Sequence, residues 1–346
     1  MKIVVTARSG AGEFECEPGE KILHAGLRSG LELPYECGTG TCGTCKARLV
    51  TGRVESEWPE APGNRYLKNP ADLLMCQCVA REACALEVSV LRPREAGAAP
   101  PGAMQGRVSS WRRLTHDVAA FDVDLEHPLA FAAGQFALLT VPGIAGARAY
   151  SMVNFEPGTR RLSFVVKRKP GGAVSDWVFG GDGIDGTPLG VFAPLGHATF
   201  RPGLGKHVLC IAGGSGIAGM MSILQCAAEA DHFAGWDGHV FFGVRSERDH
   251  FFLDELHRLR ARHPARLGIT IALSEEDVPA RLAGAYPGLA FARGLVHEVA
   301  GARMAGRFAG VRAYVAGPPP MVDASLRLLL REARLSPADI RYDKFS

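Results

Sequence analysis

At 346 residues the chain is longer than one hydrophobic core normally supports, so two or three domains are expected. Its charges nearly cancel, 39 Lys and Arg against 36 Asp and Glu, and the basic residues are scattered singly, which excludes nucleic acid or an anionic membrane as a partner. Nine cysteines would point to disulfides in a secreted protein, but Met1 opens directly into a strand-like run at 2–6 with no charged, apolar and small-residue leader, so free thiols in a reducing cytoplasm are expected.

Residues 1–92 alternate short strand-like runs at 3–6, 46–51 and 85–90 with one helical patch at 21–29, whose Ile22, Leu23, Ala25, Gly26 and Leu27 can line one face. Between them Cys37, Cys42 and Cys45 stand in a loop with glycines at 38, 40 and 43. The spacing C-x4-C-x2-C is that of a plant-type [2Fe-2S] site, which takes a fourth cysteine from far downstream. Soft thiolates suit iron that changes oxidation state, and the glycines let backbone N–H groups approach the cluster sulfurs. A zinc site would more often show two CxxC pairs. Cys76 and Cys78 both qualify as the fourth ligand and share a face if the segment is extended. Cys76 is favoured, since Cys-Gln after a short apolar run resembles the fourth-ligand motif of such ferredoxins, and Cys78 is then a small buried residue. The remaining cysteines, 16, 84, 210 and 226, have no partner spacing and are expected to be buried.

Residues 93–103 hold prolines at 93, 100 and 101, breaking every periodicity as a linker does. From 104 to 203, strand signals at 106–111, 118–123, 135–141, 161–167 and 187–192 predict a small antiparallel β-barrel. Arg148-Ala149-Tyr150-Ser151 places a guanidinium, a ring and a hydroxyl on one extended segment. Arg can pair with a diphosphate and Tyr can stack on a flat ring. The run Val165-Val166-Lys167 leads into Gly171-Gly172-Ala173-Val174-Ser175, where backbone N–H groups at a helix start can bind phosphate oxygens. Each motif is weak alone.

From 204 to 346 the period changes. Strands at 207–212, 240–244, 267–273 and 312–316 alternate with helices at 217–230, 249–262 and 321–334, predicting a doubly wound parallel sheet with ligands at the carboxyl ends of its strands. The apolar stretch 208–228 is long enough to span a membrane, but glycines crowd its middle, and a strand, turn and helix explain them better. Gly213-Gly214-Ser215-Gly216-Ile217 would bring a diphosphate to a helix N-terminus, although it is not the G-x-G-x-x-G fingerprint. Gly317-Pro318-Pro319-Pro320-Met321 closes a later strand in the same way.

In this order, the cysteine loop and the four later motifs resemble the reductase components of bacterial multicomponent oxygenases over essentially the whole chain. Pro34–Cys37, the segments 58–63 and 74–78, and the ending 341–345 are similar to toluene monooxygenase reductases; the segment 294–321 is also similar to phenol hydroxylase reductases. The resemblance implies a β-grasp [2Fe-2S] ferredoxin domain at 1–92, an FAD-binding barrel at 104–203 and an NAD-binding α/β domain at 204–346. It implies metal ligands Cys37, Cys42, Cys45 and Cys76. It implies FAD held by Arg148, Ala149, Tyr150, Ser151, the Val165–Lys167 backbone and Gly171–Ser175, with Phe345 near the flavin. NADH would be held by Gly213–Ile217, Gly317, Pro318, Pro319 and Met321, with Gly243, Arg245, Glu247 and Asp249 toward its adenosine ribose. The acidic groups there can bond a 2′-hydroxyl and repel a 2′-phosphate, which favours NADH, while Arg245 argues the other way. Three departures stand out: Ala316 where the family usually has cysteine, Gly219 where it has proline, and Ala193 where it has glycine.

The implied activity is an NADH-dependent oxidoreductase that passes electrons through FAD and the cluster to an oxygenase, a hydroxylase or a separate Rieske-type ferredoxin, no side chain acting as a strong acid or base. Rival readings are a reductase serving a Rieske dioxygenase or a deoxysugar dehydratase, or a plain electron carrier that binds no flavin.

Overall fold

The computed structural model describes residues 1–92 and 97–345. Of the predicted linker, 93–96 lie outside the described residues, and the next strand already begins at Gly102. By their contacts the described residues form two compact units.

The first unit comprises Met1–Gln105, Ala137–Ala149 and Leu189–Leu195. Its five-stranded sheet runs in the order Gly10–Glu15, Lys2–Ala7, Cys84–Val88, Lys46–Thr51, Asp72–Leu74. Lys2–Ala7 pairs parallel with Cys84–Val88 and antiparallel with Gly10–Glu15, the mixed pairing of a β-grasp fold. Alternation places Ile3 and Val5 inward, both fully buried, with Lys2 and Thr6 outward. The helix Ile22–Arg28 covers the sheet with the predicted face, burying Ile22, Leu23, Ala25, Gly26 and Leu27. Its His24 stacks on Phe192, with ring centroids 4.1 Å apart. Two strands lying mostly in this unit, Phe136–Thr140 and Pro188–Leu195, are hydrogen-bonded to each other, and Phe136–Thr140 also pairs with Arg148–Ser151.

In the second unit the strand Val118–Leu129 pairs antiparallel with Gly102–Arg113 on one side and with Thr159–Lys167 on the other. Beyond residue 200 a six-stranded sheet follows in the order Ala290–Arg293, Leu267–Leu273, Gly238–Val244, His207–Gly213, Val311–Gly317, Ile340–Lys344, every pairing parallel. Both faces are covered, so the strands read as continuous apolar runs rather than alternating ones. Val208, Cys210 and Ala212 enter one core with Phe242 and Tyr314, while Leu209 and Ile211 enter another with Phe241 and Val315. The chain starts this sheet at His207–Gly213, builds outward on one side, then returns to add Val311–Gly317 on the other. The order reverses between those two strands, which puts the ligand crevice at their carboxyl ends.

Several bounds differ from expectation. The helix predicted at 249–262 begins at Leu253, because Glu247–Asp249 is spent in a capped 3-10 turn. The helix predicted at 321–334 starts at Pro319, where proline suits a first turn, and widens into a π-turn over Leu328–Glu332. The strand Ala290–Arg293, the helix Val296–Met304 and the strand Ile340–Lys344 were not anticipated. The stretch 208–228 forms a strand, a turn and the helix Ile217–Glu229, and no helix among the described residues is long and apolar enough to cross a membrane.

Candidate functional site

The cysteine loop has neither helix nor strand from 36 to 45, and its glycines explain how it can be so tight. Gly40 and Gly43 adopt φ of +86° and +77°, and a Cβ at Gly43 would lie 2.4 Å from the Tyr66 ring. The loop is tied to its surroundings by Gly63 N–H donating to Gly40 O at 2.8 Å and Met75 N–H to Cys45 O at 3.1 Å. The second of these bonds brings the downstream segment alongside. Cys45 and Cys76 then stand with sulfurs 3.2 Å apart, and the Cys42 thiol is hydrogen-bonded to Cys37, which lowers the Cys37 pKa. Cys78, in the strand Cys78–Ala80, is buried, and burial pushes its thiol up to about 11.

The donor set fits a [2Fe-2S] cluster. Deprotonating two thiols this close would set like charges almost in contact, a cost that a shared iron pair removes. Backbone N–H groups of Thr39 and Thr44 already point at the sulfurs of Cys37 and Cys42, each at 3.4 Å, and Gln77 Nε2 points at Cys76 at the same distance. These are donors of the kind that stabilise thiolate ligands. No disulfide joins any of the nine cysteines.

The Arg148–Ser151 strand presents Arg148 and Tyr150 half-buried. Arg148 donates only to the carbonyls of Ala145 and Ala147, at 3.5 and 3.1 Å, and has no carboxylate partner among the described residues. That uncompensated charge fits a diphosphate. Just after it, Met152 N–H donates to Gln135 O and Val153 N–H to Ser163 O, so Tyr150 and Ser151 lead into a segment running beside the strand that carries Val165, Val166 and Lys167. Ser175 lies in the short helix Ala173–Val178, and its hydroxyl is committed to its own turn, donating to Gly172 O and accepting from Lys169 N–H at 3.1 Å. Its role is to shape the glycine turn rather than to offer a free hydroxyl.

The two glycine turns of the parallel sheet meet. Ala212 pairs with Ala316 in register, and a Cβ on Gly216 would lie 2.1 Å from Ala316 O. Gly317 has a φ of +147°, and its Cβ would strike Met321 Cε at 2.6 Å and Gly213 O at 2.9 Å. Only glycine lets the turns approach this closely. Phe345 N–H donates to Gly317 O at 3.0 Å, which anchors the C-terminal aromatic residue at the same strand end.

The third predicted cluster is arranged differently. Gly243 is a packing residue: its Cβ would lie 2.7 Å from that of Val296. The Glu247 carboxylate is paired with the Arg281 guanidinium, one contact measuring 2.9 Å. Asp249 is buried and caps its own turn through Ser246 Oγ, at 2.7 Å, and Ser246 N–H. Burial opposes its charge, but the Ser246 and Arg245 bonds outweigh it and hold the carboxyl below the usual range.

Sequence reasoning missed the polar ties across the second unit. Ser222, fully buried in the helix Ile217–Glu229, accepts from Gly134 N–H at 2.9 Å and donates to Gly219 O at 2.8 Å. Gln225 accepts from Phe155 N–H at 3.1 Å. The available signal was that both interrupt an otherwise apolar helix three residues apart, hence on one face.

Three family models match successive parts of the chain: a 2Fe-2S iron-sulfur cluster binding domain at residues 6–81, an oxidoreductase FAD-binding domain at 105–200 and an oxidoreductase NAD-binding domain at 210–326. A ferredoxin–NAD(P)+ reductase of Metapseudomonas resinovorans is 33% identical over 340 residues, 95% of this chain and 96% of that one. The xylene/toluene monooxygenase electron transfer component of Pseudomonas putida is 32% identical over 328 residues, 94% of this chain and 89% of the other. Among solved structures, the ferredoxin reductase in carbazole 1,9a-dioxygenase matches with a TM-score of 0.82 at 30% identity, covering 100% of this chain and 99% of that one.

Proposed function

The chain belongs to the iron-sulfur flavoprotein reductases that serve bacterial oxygenase systems, and from that premise we propose that it takes electrons from NADH and delivers them to the oxygenase component, or its ferredoxin, of an aromatic or hydrocarbon monooxygenase. The observation that carries the reading is the succession of three sites in one chain. These are a four-thiol loop, a strand with an uncompensated arginine and a tyrosine, and paired glycine turns at a sheet's switch point. When bound, the flavin supplies the conversion between the electron pair of a nicotinamide and the single electron that a [2Fe-2S] cluster accepts.

In this reading Cys37, Cys42, Cys45 and Cys76 hold the iron, while Thr39, Thr44 and Gln77 donate to their sulfurs and favour the thiolate form. Arg148 pairs with the diphosphate of FAD and Tyr150 stacks on its ring, with the Val165–Lys167 backbone and the Gly171–Ser175 turn completing the cradle. Gly213–Ile217 and Gly317–Met321 receive the dinucleotide, positioned by close backbone approach and a helix N-terminus. The preference for NADH rests on the turn at 245–249, where Asp249 pairs with Arg245 and Glu247 with Arg281, so that neither arginine is offered unpaired to a 2′-phosphate. The division into domains at 1–92, 104–203 and 204–346 is supported by the extents of the three family models. Residence in a reducing cytoplasm is supported by nine uncrosslinked thiols.

A second reading, a reductase of a dioxygenase system, is favoured by the similarity to the carbazole 1,9a-dioxygenase reductase along the whole chain. An anaerobic NADH titration followed by visible absorbance tests the shared core of both. Bleaching of flavin and iron-sulfur bands together, with about three electrons taken up per chain, is expected. An iron-sulfur band that persists with no reactive flavin would leave only an electron carrier. Reconstituting turnover with the purified monooxygenase or dioxygenase encoded beside it separates the two partners.

A further inference from the structure

Arg245 is the first residue beyond the strand Gly238–Val244, whose end pairs Gly243 with Gly213 of the dinucleotide turn. It therefore stands at the edge of the crevice, where the ribose end of a dinucleotide falls. A free arginine there would serve a 2′-phosphate well. This arginine is not free. One nitrogen, Nη2, lies 3.2 Å from Asp249 Oδ1 and 3.5 Å from Asp117 Oδ2. Asp117 belongs to the loop preceding the strand Val118–Leu129, far from the ribose turn in sequence. Its carboxylate is held by Lys167 Nζ at 2.9 Å and the Thr115 hydroxyl at 3.1 Å, and its carbonyl accepts from Arg168 N–H at 2.7 Å. The two acidic side chains are 18% and 7% exposed against 52% for the arginine, so the carboxylates are shielded from water and cannot easily turn away. His116 Nε2 lies 3.7 and 3.8 Å from the same two carboxylates. Together these three groups have the spacing of a metal site, but Lys167 and Arg245 already balance both negative charges.

We infer that Asp117 is a specificity-determining residue. Together with Asp249 it neutralises Arg245 and withholds it from a 2′-phosphate, so that NADH is preferred over NADPH. The inference rests on the NADH reading above and names the group that enforces it. Arg248, exposed on the same turn, has no contact with Asp117 and serves as the control.

The test uses the full holoprotein at about pH 8, where an ordinary histidine is neutral. In Asp117→Asn, kcat/KM for NADPH is expected to rise about tenfold, the size of one charge-assisted hydrogen bond at a partly exposed site, while that for NADH stays within about twofold. Calorimetry with 2′,5′-ADP should show the same gain in binding and 5′-AMP none, a readout that survives any loss of flavin. Asp117→Ala provides a second variant with the same expectation. The gain should vanish in Asp117→Asn/Arg245→Ala and persist in Asp117→Asn/Arg248→Ala. An NADPH-to-NADH ratio unchanged in both single variants, or a gain indifferent to Arg245, overturns the inference while the NADH reading stands. A wild-type protein that prefers NADPH overturns the reading itself and the inference with it.

Discussion

Gly216→Ala tests whether the two glycine turns form the nicotinamide dinucleotide site. The added Cβ would lie 2.1 Å from Ala316 O and 2.5 Å from Ala316 C, where ordinary contact begins near 3.4 Å. Both obstacles are backbone atoms of a strand hydrogen-bonded on each side, to His207–Gly213 and to Ile340–Lys344, so no side chain can swing away. The turns must part by about 1.3 Å. Overpacking of this kind costs about 1–3 kcal/mol of stability, and misplacing a binding turn by about 1 Å lowers activity up to about a hundredfold. The assay is NADH-driven reduction of a one-electron dye, read beside flavin and iron content and the denaturation midpoint. We expect kcat/KM for NADH to fall by at least about tenfold with both cofactors retained, since neither the cysteine loop nor the Arg148 strand is touched. A variant with wild-type kinetics and midpoint would refute the reasoning, because it would mean the turns are not in contact in solution.

Cys42→Ser should abolish electron delivery to the oxygenase partner while dye reduction at the flavin continues; loss of both activities would contradict the electron order proposed. Ser222→Ala strands a buried Gly134 N–H and should destabilise the second unit by about 2 kcal/mol, read by chemical denaturation, and a neutral outcome would show that the tie between loop and helix carries no energy. His24 is held neutral down to about 4 by burial and by neighbouring Lys21, against the opposing charge of Glu20. The unfolded chain takes up a proton near 6.5 that the folded chain refuses, so this histidine makes stability fall as pH drops from about 6.5 to about 4, by at most about 3 kcal/mol. His24→Phe keeps a ring against Phe192 and should flatten that part of the pH profile by about one proton. An unchanged slope would assign the effect to other histidines that burial keeps neutral, such as the half-buried His239.

What the amino-acid order determines by itself here is local chemistry. Three cysteines within nine residues, glycines between them and a cysteine some thirty residues on announce the iron site, because ligand spacing in a short loop is a property of the chain. The strand at 267–273 and the helix face of Ile22 to Leu27 were legible for the same reason, since periodicity decides which side is buried. Short or half-buried elements such as Ala290–Arg293 carry too few residues for a period to show, and only pairing with a neighbouring strand creates them. Sequence already favoured Cys76 over Cys78, and tertiary structure adds the bond from Met75 to Cys45 that brings the Cys76 sulfur to 3.2 Å from that of Cys45. At the turn 245–249, sequence showed an arginine and two acids without saying which charge is available. Glu247 is taken by Arg281, Asp249 by its own cap, and Arg245 by an aspartate more than a hundred residues earlier. Coulomb attraction depends on distance in space, and chain order does not record that distance.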